Sequence, residues 1–100
     1  MDARALGQQI KRLRKLRKLT QEQLGERAEL QPKSVSELER GAFLPSLETL
    51  DQIRNALSST WAELLDHAEE DVKGAIRLRL IEHIMRAGVT ELLDMERRLK

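Results

Sequence analysis

The middle of the chain carries polar residues whose side chains can hydrogen-bond the edges of DNA bases. They are Gln31, Lys33, Ser36 and Glu37, and with the apolar Pro32 that lies among them they are the candidate base contacts. Lys33 can donate to guanine O6 or N7, Glu37 can accept from cytosine N4, and Ser36 can contact either a base or a phosphate. Proline suits the first turn of a helix, as at Pro32, and glycine is common just after the last turn, as at Gly41. The candidate base contacts are therefore predicted to share one short helix that begins near Pro32 and ends before Gly41. A helix of this size fits the DNA major groove.

Apolar residues indicate which side of this helix is buried. They fall where two short helices joined by a tight turn need a buried face, at Leu24, Ala28, Leu30, Val35 and Leu38. Thr20 followed by Gln23 is a capping box, which predicts a preceding helix from Gln21 to about Ala28. The polar side chains of the second helix are then left to face outward.

Helical patterns continue on both sides of this pair. Residues 3–17 predict an amphipathic first helix. Ser46 predicts the start of a fourth helix, and Thr60 with Glu63 predicts a short fifth helix. No strand pattern is present, so the chain is predicted to be all-α, with five helices in its DNA-binding domain.

The composition changes after His67, where an acidic stretch predicts a boundary between residues 1–68 and residues 69–100. In the second segment, Gly88 interrupts an apolar helical pattern and Thr90 can cap another helix, which predicts a two-helix hairpin. Its apolar face is wider than one short helix covers, so self-association is predicted. The predicted dimer interface is Ile76, Leu80, Ile84, Leu92 and Leu93. The alternative is that the hairpin packs on the first domain.

The net charge of +1 hides an uneven distribution along the chain. Residues 1–20 hold seven basic residues and one acidic residue, a local balance of +6, whereas residues 21–60 and 61–100 carry −3 and −2. A positive patch can meet a polyanion even when the total charge is near zero. The alternative is an ordinary solvated helix face.

Composition argues against several other classes of protein. Aromatic residues make up 2% of the chain, which disfavours stacking platforms for single-stranded nucleic acid, and there is no Cys for a disulfide or a thiolate metal site. His67 and His83 stand far apart without clustered acids, and no Gly-rich phosphate loop is present. We therefore predict no enzyme activity, no metal and no cofactor. Without a membrane-spanning run or a signal-peptide pattern, a cytoplasmic protein with no membrane partner is expected.

Several short motifs occur together in residues 5–66, and they resemble the Cro/C1-type helix-turn-helix family, also called XRE. They are Ile10-x-x-Leu13-Arg14, Leu19-Thr20-Gln21-Glu22-x-Leu24, Val35-Ser36-x-Leu38-Glu39-Arg40-Gly41 and Pro45-Ser46-Leu47-Glu48-Thr49-Leu50. The resemblance implies a lambda-repressor-like fold, a structural ion pair between Arg14 and Glu39, and a phosphate contact at Gln21. The candidate phosphate contacts are Lys18, Thr20, Gln21 and Arg40. The C-terminal segment loosely resembles the helical hairpin of SinR-like repressors.

Some positions depart from the family pattern. Glu29 stands in the tight turn where Gly is usual, which implies about 1 kcal/mol of backbone strain or a slightly different turn. Pro32 replaces a polar base-reading residue. Ala42 and Phe43 stand in a loop where Lys or Arg is frequent.

The resemblance implies a sequence-specific, double-stranded DNA-binding regulator of transcription, expected to be a repressor that acts as a homodimer on a palindromic operator. The alternative is an antitoxin or a protein-interaction module built on the same scaffold, with a protein partner bound through the C-terminal hairpin. Pro32 and the uncharged loop keep this alternative open.

Overall fold

The computed structural model describes the backbone of residues 2–99 and the side chains of residues 2–88. Within this range the regular structure is entirely helical. The helices are α1 (Arg4–Leu16), α2 (Gln21–Ala28), α3 (Pro32–Glu39), α4 (Leu47–Ala56), α5 (Trp61–Leu65) and α6 (Glu70–Leu99). The prediction of an all-α chain is confirmed.

Side-chain caps fix where three of the helices begin. The Thr20 hydroxyl accepts a hydrogen bond from the Gln23 N–H at 3.0 Å, and the Gln23 side-chain oxygen accepts one from the Thr20 N–H at 2.9 Å. The predicted capping box is therefore present. Ser46 and Thr60 cap α4 and α5 through one such hydrogen bond each. Each cap satisfies a backbone N–H that has no partner inside its helix.

One apolar core lies between α1–α5 and the first turns of α6. Its largest fully buried side chains are Leu6, Ile10, Leu13, Leu24, Val35, Leu50, Ile53, Leu57, Leu64, Val72 and Ile76. A Cβ atom on Gly7 would lie 2.4 Å from the carbonyl oxygen of Leu38, so α1 approaches the end of α3 more closely than any larger residue allows. This contact holds α3, which carries the candidate base contacts, against α1.

The C-terminal segment differs from the predicted hairpin. Helix α6 runs without interruption from Glu70 to Leu99, and both Gly88 and Thr90 lie inside it. A single glycine costs a helix about 1 kcal/mol relative to alanine, and no proline follows that would stop the chain from continuing. The predicted turn at Gly88 was wrong, and the likeness to a SinR-like hairpin has no support in this backbone.

The first turns of α6 complete the main core. Val72 and Ile76 are fully buried in it, and Leu80 packs against it. A guanidinium nitrogen of Arg79 also donates to the carbonyl oxygen of Pro45 at 3.2 Å, which ties α6 to the loop before α4. A domain boundary between residues 68 and 69 would cut through this packing.

Candidate nucleic-acid interface

The outer face of α3 carries the candidate base contacts. Their exposure decreases along the helix, with Gln31, Pro32 and Lys33 exposed and Ser36 and Glu37 half-buried. The opposite face is packed in the core through Val35 and Leu38. The polar side chains at the beginning of α3 are therefore accessible, as they must be if the N-terminal part of a recognition helix contacts base edges.

A tight turn sets the angle between α2 and α3. Glu29 has φ 59° and ψ 40°, a left-handed conformation, so of the two expected outcomes the strained turn is present. The Leu30 N–H donates to the carbonyl oxygen of Gly25 at 2.7 Å. A Cβ atom on Gly25 would lie 2.5 Å from the carbonyl oxygen of Leu30. The chain can fold back this closely because residue 25 has no side chain.

A buried ion pair joins α1 to the end of α3. Arg14 donates to the two carboxylate oxygens of Glu39, from Nε at 2.7 Å and from Nη2 at 3.1 Å. Its Nη1 donates to the carbonyl oxygen of Leu19 at 2.8 Å. The side chains of Arg14 and Glu39 are only 10% and 3% exposed. The pair is therefore shielded from solvent, and it ties α1 to the end of α3.

Gln21, the first residue of α2, is linked to this ion pair. Its side-chain amide donates to the Glu39 carboxylate at 3.2 Å. Gln21 is half-buried and sits where the N–H groups of α2 and the helix dipole favour an anion. Lys18 precedes this helix end and is exposed, whereas the Thr20 hydroxyl is engaged in the cap. The Lys18 cation and the N-terminus of α2 thus lie close together in the chain, and both precede α3.

The basic residues of the first 20 positions do not form one patch. Arg17 donates to the carbonyl oxygen of Leu57 at 2.8 Å and to the carboxylate of Glu63 at 3.2 Å, so it is turned towards α5. Arg12 lines a shallow pocket with His67. The local charge of +6 therefore overestimates the number of cations that lie beside α3. Among the basic residues of positions 1–20, Lys18 is the nearest to α3 in the sequence.

The segment after α3 holds Arg40, which is exposed. Gly41 follows with φ 70°, and a Cβ atom there would lie 2.5 Å from the Cα atom of Arg4. Phe43 is 46% exposed. Residues 42–46 contain no basic side chain, so within residues 40–46 Arg40 is the cation available to a phosphate.

Three residues that position the interface were not singled out from the sequence. Gly7 and Gly25 allow the close approaches described above, and the signal for both is a glycine inside a helical pattern. Gln9 is buried and donates to the carbonyl oxygen of Glu63 at 2.8 Å, which ties α1 to α5. A polar residue among the apolar positions of an amphipathic helix is the corresponding signal.

The predicted dimer-interface residues lie in different surroundings. Ile76 is fully buried in the core of its own chain, so its place in an interface was wrongly predicted. Leu80 is half-buried, and Ile84 is 64% exposed. The side chains of Leu92 and Leu93 lie outside the described residues.

Among the residues whose side chains are described, no group of three or more His, Cys, Asp or Glu side chains could hold a metal ion. None of the described helices combines the length and the apolarity needed to cross a membrane. In the same part of the chain, no buried side-chain nitrogen or oxygen lacks a hydrogen-bond partner.

Comparisons with known proteins agree with this geometry. The sequence pattern of the helix-turn-helix family matches residues 10–64. The immunity repressor protein of Bacillus phage phi105 is 48% identical over 52 residues, which cover 52% of this chain and 36% of that protein. The chain thus matches about a third of the length of that curated relative.

Two solved structures are also similar to this chain in sequence and fold. The restriction-modification controller protein C.AhdI from Aeromonas hydrophila is 31% identical with a TM-score of 0.60, over 62% of this chain and 94% of that one. The clp gene regulator ClgR from C. glutamicum is 30% identical with a TM-score of 0.62, over 74% and 91%. From its matched residues, its fold and the geometry of α2 and α3, the chain belongs to the Cro/C1-type (XRE) helix-turn-helix family of DNA-binding regulators.

Proposed function

We propose that this chain is a regulator of transcription that binds specific sequences in double-stranded DNA. The observation that carries the proposal is the outward polar face of α3, formed by Lys33, Ser36 and Glu37, with the N-cap residue Gln31 directly before it. Helix α3 is buried on its other side and held at its end by Arg14 and Glu39. Side chains on a helix that cannot shift keep one register against the base pairs, which is what direct readout requires.

Contacts to the DNA backbone come from both ends of the helix pair. Before α3, Lys18 offers a cation and Gln21 stands at the N-terminus of α2. After α3, Arg40 offers a second cation. Such contacts position a protein on the duplex and carry no sequence information themselves.

The active form in this proposal is a homodimer. One recognition helix reads only a few base pairs, and regulators of this type reach useful affinity by placing two such helices about one helical turn apart on a palindrome. The dimer would repress by covering a promoter and blocking RNA polymerase. The names of the similar proteins, an immunity repressor, a restriction-modification controller protein and a clp gene regulator, support a regulatory role.

Selection of bound duplexes from a random DNA pool tests the proposal. We expect enriched sequences with two-fold symmetry and half-sites separated by about one helical turn. A matched variant with Lys33 and Glu37 changed to Ala, and the phosphate contacts intact, should bind DNA weakly and enrich a different or no consensus. If the wild-type chain enriches no sequence, even at low salt, the proposal is wrong.

The second candidate function is a protein-interaction module, an antitoxin among them. The observation that favours it is Phe43, which is 46% exposed in a loop without a basic side chain, directly after the recognition helix. An exposed aromatic residue is more useful to a protein contact than to a phosphate contact. Failure of the duplex selection, together with an adjacent toxin-like reading frame, would favour this candidate.

A further inference from the structure

Past its first turns, α6 carries a second apolar stripe. Leu78, Ile81 and Met85 are 58%, 53% and 65% exposed. Their spacing of three and then four residues places them on one helix face, because the helix has about 3.6 residues per turn. Val72 and Ile76, which are buried in the core, lie on roughly the opposite face. This second stripe is therefore not needed to hold α6 on its own domain.

The spacing of the stripe is that of a coiled coil. In heptad terms, Leu78 and Met85 occupy a positions, and Ile81 and Gly88 occupy d positions. The sequence continues the same alternation with Leu92, Met95 and Leu99. Since the described side chains end at residue 88, we define the α6 seam by its first four members, Leu78, Ile81, Met85 and Gly88.

Charged residues flank the α6 seam in a complementary way. Arg77 occupies the g position before it and Glu82 the e position after Ile81, and both are exposed. In a parallel coiled coil, a g residue of one helix faces the e residue of the following heptad in the other. Arg77 of each chain would therefore face Glu82 of the second copy. In an antiparallel pair of helices, Arg77 of one chain would no longer face Glu82 of the other.

The same flanking charges limit the number of helices. Leucine at a with isoleucine at d, as at Leu78 and Ile81, shifts coiled coils towards three or four strands. Bundles of that size bury more of the e and g positions than a two-stranded coil does, so the exposed charges of Arg77 and Glu82 oppose them and favour two strands. The next pair of g and e positions in the sequence, Ile84 and Val89, is apolar, and the one after it, Glu91 and Glu96, is like-charged. We therefore expect the pairing to be tightest near the domain.

We infer that a second copy of this chain binds along the α6 seam and forms a parallel, two-stranded coiled coil. The inference rests on the proposed function, since a dimeric regulator needs a two-fold partner. A parallel coil leaves both DNA-binding domains at the same end, where they can approach one duplex. The interface predicted from the sequence is thereby revised, because Ile76 and Leu80 face the domain and Ile84 only flanks the seam.

Introduced cysteines test the geometry, because the chain has none of its own. In a parallel coil in register, the two copies of residue 81 face each other closely enough for a disulfide. The variant Ile81→Cys should form a covalent dimer on mild oxidation. The matched control Ala87→Cys, exposed and at a c position outside the seam, should remain uncrosslinked.

Charge and packing variants test the energetics by analytical ultracentrifugation at tens of micromolar, a range suited to weak dimers. Arg77→Glu should weaken the dimer by about tenfold or more, and the double change Arg77→Glu with Glu82→Arg should restore it. Gly88→Leu should tighten the dimer, because open space surrounds residue 88 in the single chain and a leucine suits a d position. Gly88→Ala is the control for helix propensity, so the difference between the two variants reports the seam.

A wild-type chain that sediments as a monomer or a tetramer would overturn the inference. So would equal crosslinking at residues 81 and 87, or no recovery in the double charge variant. Gel shifts on duplex DNA keep the two proposals apart. A monomeric chain that still selects a DNA consensus contradicts the seam alone, and a crosslinked dimer that binds no duplex contradicts the proposed function alone.

Discussion

The carboxylate of Glu39 accepts a hydrogen bond from the side-chain amide of Gln21 at 3.2 Å. The same carboxylate oxygen accepts one from Arg14 at 3.1 Å. Gln21, the first residue of α2, is thus hydrogen-bonded to the buried carboxylate of Glu39, the last residue of α3. The residue that we propose as a phosphate contact is therefore oriented by the group that fixes the recognition helix.

The first prediction concerns the buried ion pair. Glu39→Ala leaves the Arg14 guanidinium buried without its partner, and this should lower the free energy of unfolding by about 3–5 kcal/mol. Urea denaturation at pH 7 measures it. Replacing both residues with apolar ones, Arg14→Met and Glu39→Leu, should cost less than the sum of the single changes.

The control for this prediction is the exposed pair between Arg4 and Asp2, whose nitrogen and oxygen are 2.7 Å apart with side chains 76% and 44% exposed. The hydrogen bond from the Arg4 side chain lowers the pKa of Asp2 from 3.8 to about 2. Because the folded pKa is lowered, any stabilisation is present above pH 3.8 and is lost as the pH falls towards 2. At pH 7 the pair is charged, yet Asp2→Asn should leave stability unchanged, because water screens it. An equal loss in Asp2→Asn and Glu39→Ala would contradict the role of burial.

The second prediction concerns base readout. Lys33→Ala and Glu37→Ala should each change the preferred DNA sequence at one position, at a cost of roughly 1–3 kcal/mol for that base pair. Binding to a panel of single-base operator variants would show the change. If Lys33→Ala lowered affinity for all the duplexes equally, Lys33 would be a phosphate contact instead of a base reader.

The third prediction concerns the phosphate contacts. Gln21→Ala should weaken binding to all duplexes alike, and Lys18→Ala should also reduce the slope of log K against log salt concentration by about one. Gel shifts at several salt concentrations measure both effects. Arg17→Ala is the matched control, since Arg17 is held by Leu57 and Glu63 and should alter the slope less. A larger effect from Arg17 than from Lys18 would reverse this assignment.

The parts of the fold that depend on local hydrogen bonds could be predicted from the sequence. The start of α2 follows from Thr20 and Gln23, because a capping box joins residues only three apart. The left-handed conformation of Glu29 was one of the two outcomes that the family resemblance left open, because Gly is usual at this place in the turn. The exposed face of α3 follows from its apolar spacing, since a packed helix must bury that side.

The parts that depend on distant partners could not be predicted. Ile76 belongs to an apolar stripe, but spacing alone does not say whether the domain or a second chain covers that stripe. Arg17 belongs to a basic cluster in the sequence, yet its guanidinium binds the carbonyl oxygen of Leu57, 40 positions away. The hairpin prediction failed because it treated Gly88 as a stop, whereas the cost of one glycine is small against the rest of a long helix.

The fourth prediction tests whether the beginning of α6 belongs to the domain. Ile76→Ala removes a fully buried side chain and should lower the free energy of unfolding by about 2–5 kcal/mol. Leu16→Ala, at a residue 64% exposed, should change it by less than about 0.5 kcal/mol. Both should be measured in the Arg77→Glu background, so that dimerisation does not contribute to stability. Similar small losses in both variants would mean that α6 is only loosely attached.

The last prediction concerns the turn before the recognition helix. Glu29 holds a left-handed backbone with φ 59°, which costs most residues about 1 kcal/mol and glycine very little. Glu29→Gly should therefore stabilise the domain by about 0.5–1 kcal/mol, despite the greater freedom of glycine in the unfolded chain. Glu26→Gly is the matched control, because Glu26 is exposed within α2 in ordinary helical geometry, and there the same substitution should destabilise by about 1 kcal/mol. Thermal denaturation of the two variants should give melting temperatures that move in opposite directions. A loss of stability in both would mean that the Glu29 side chain contributes more to the turn than its backbone strain costs.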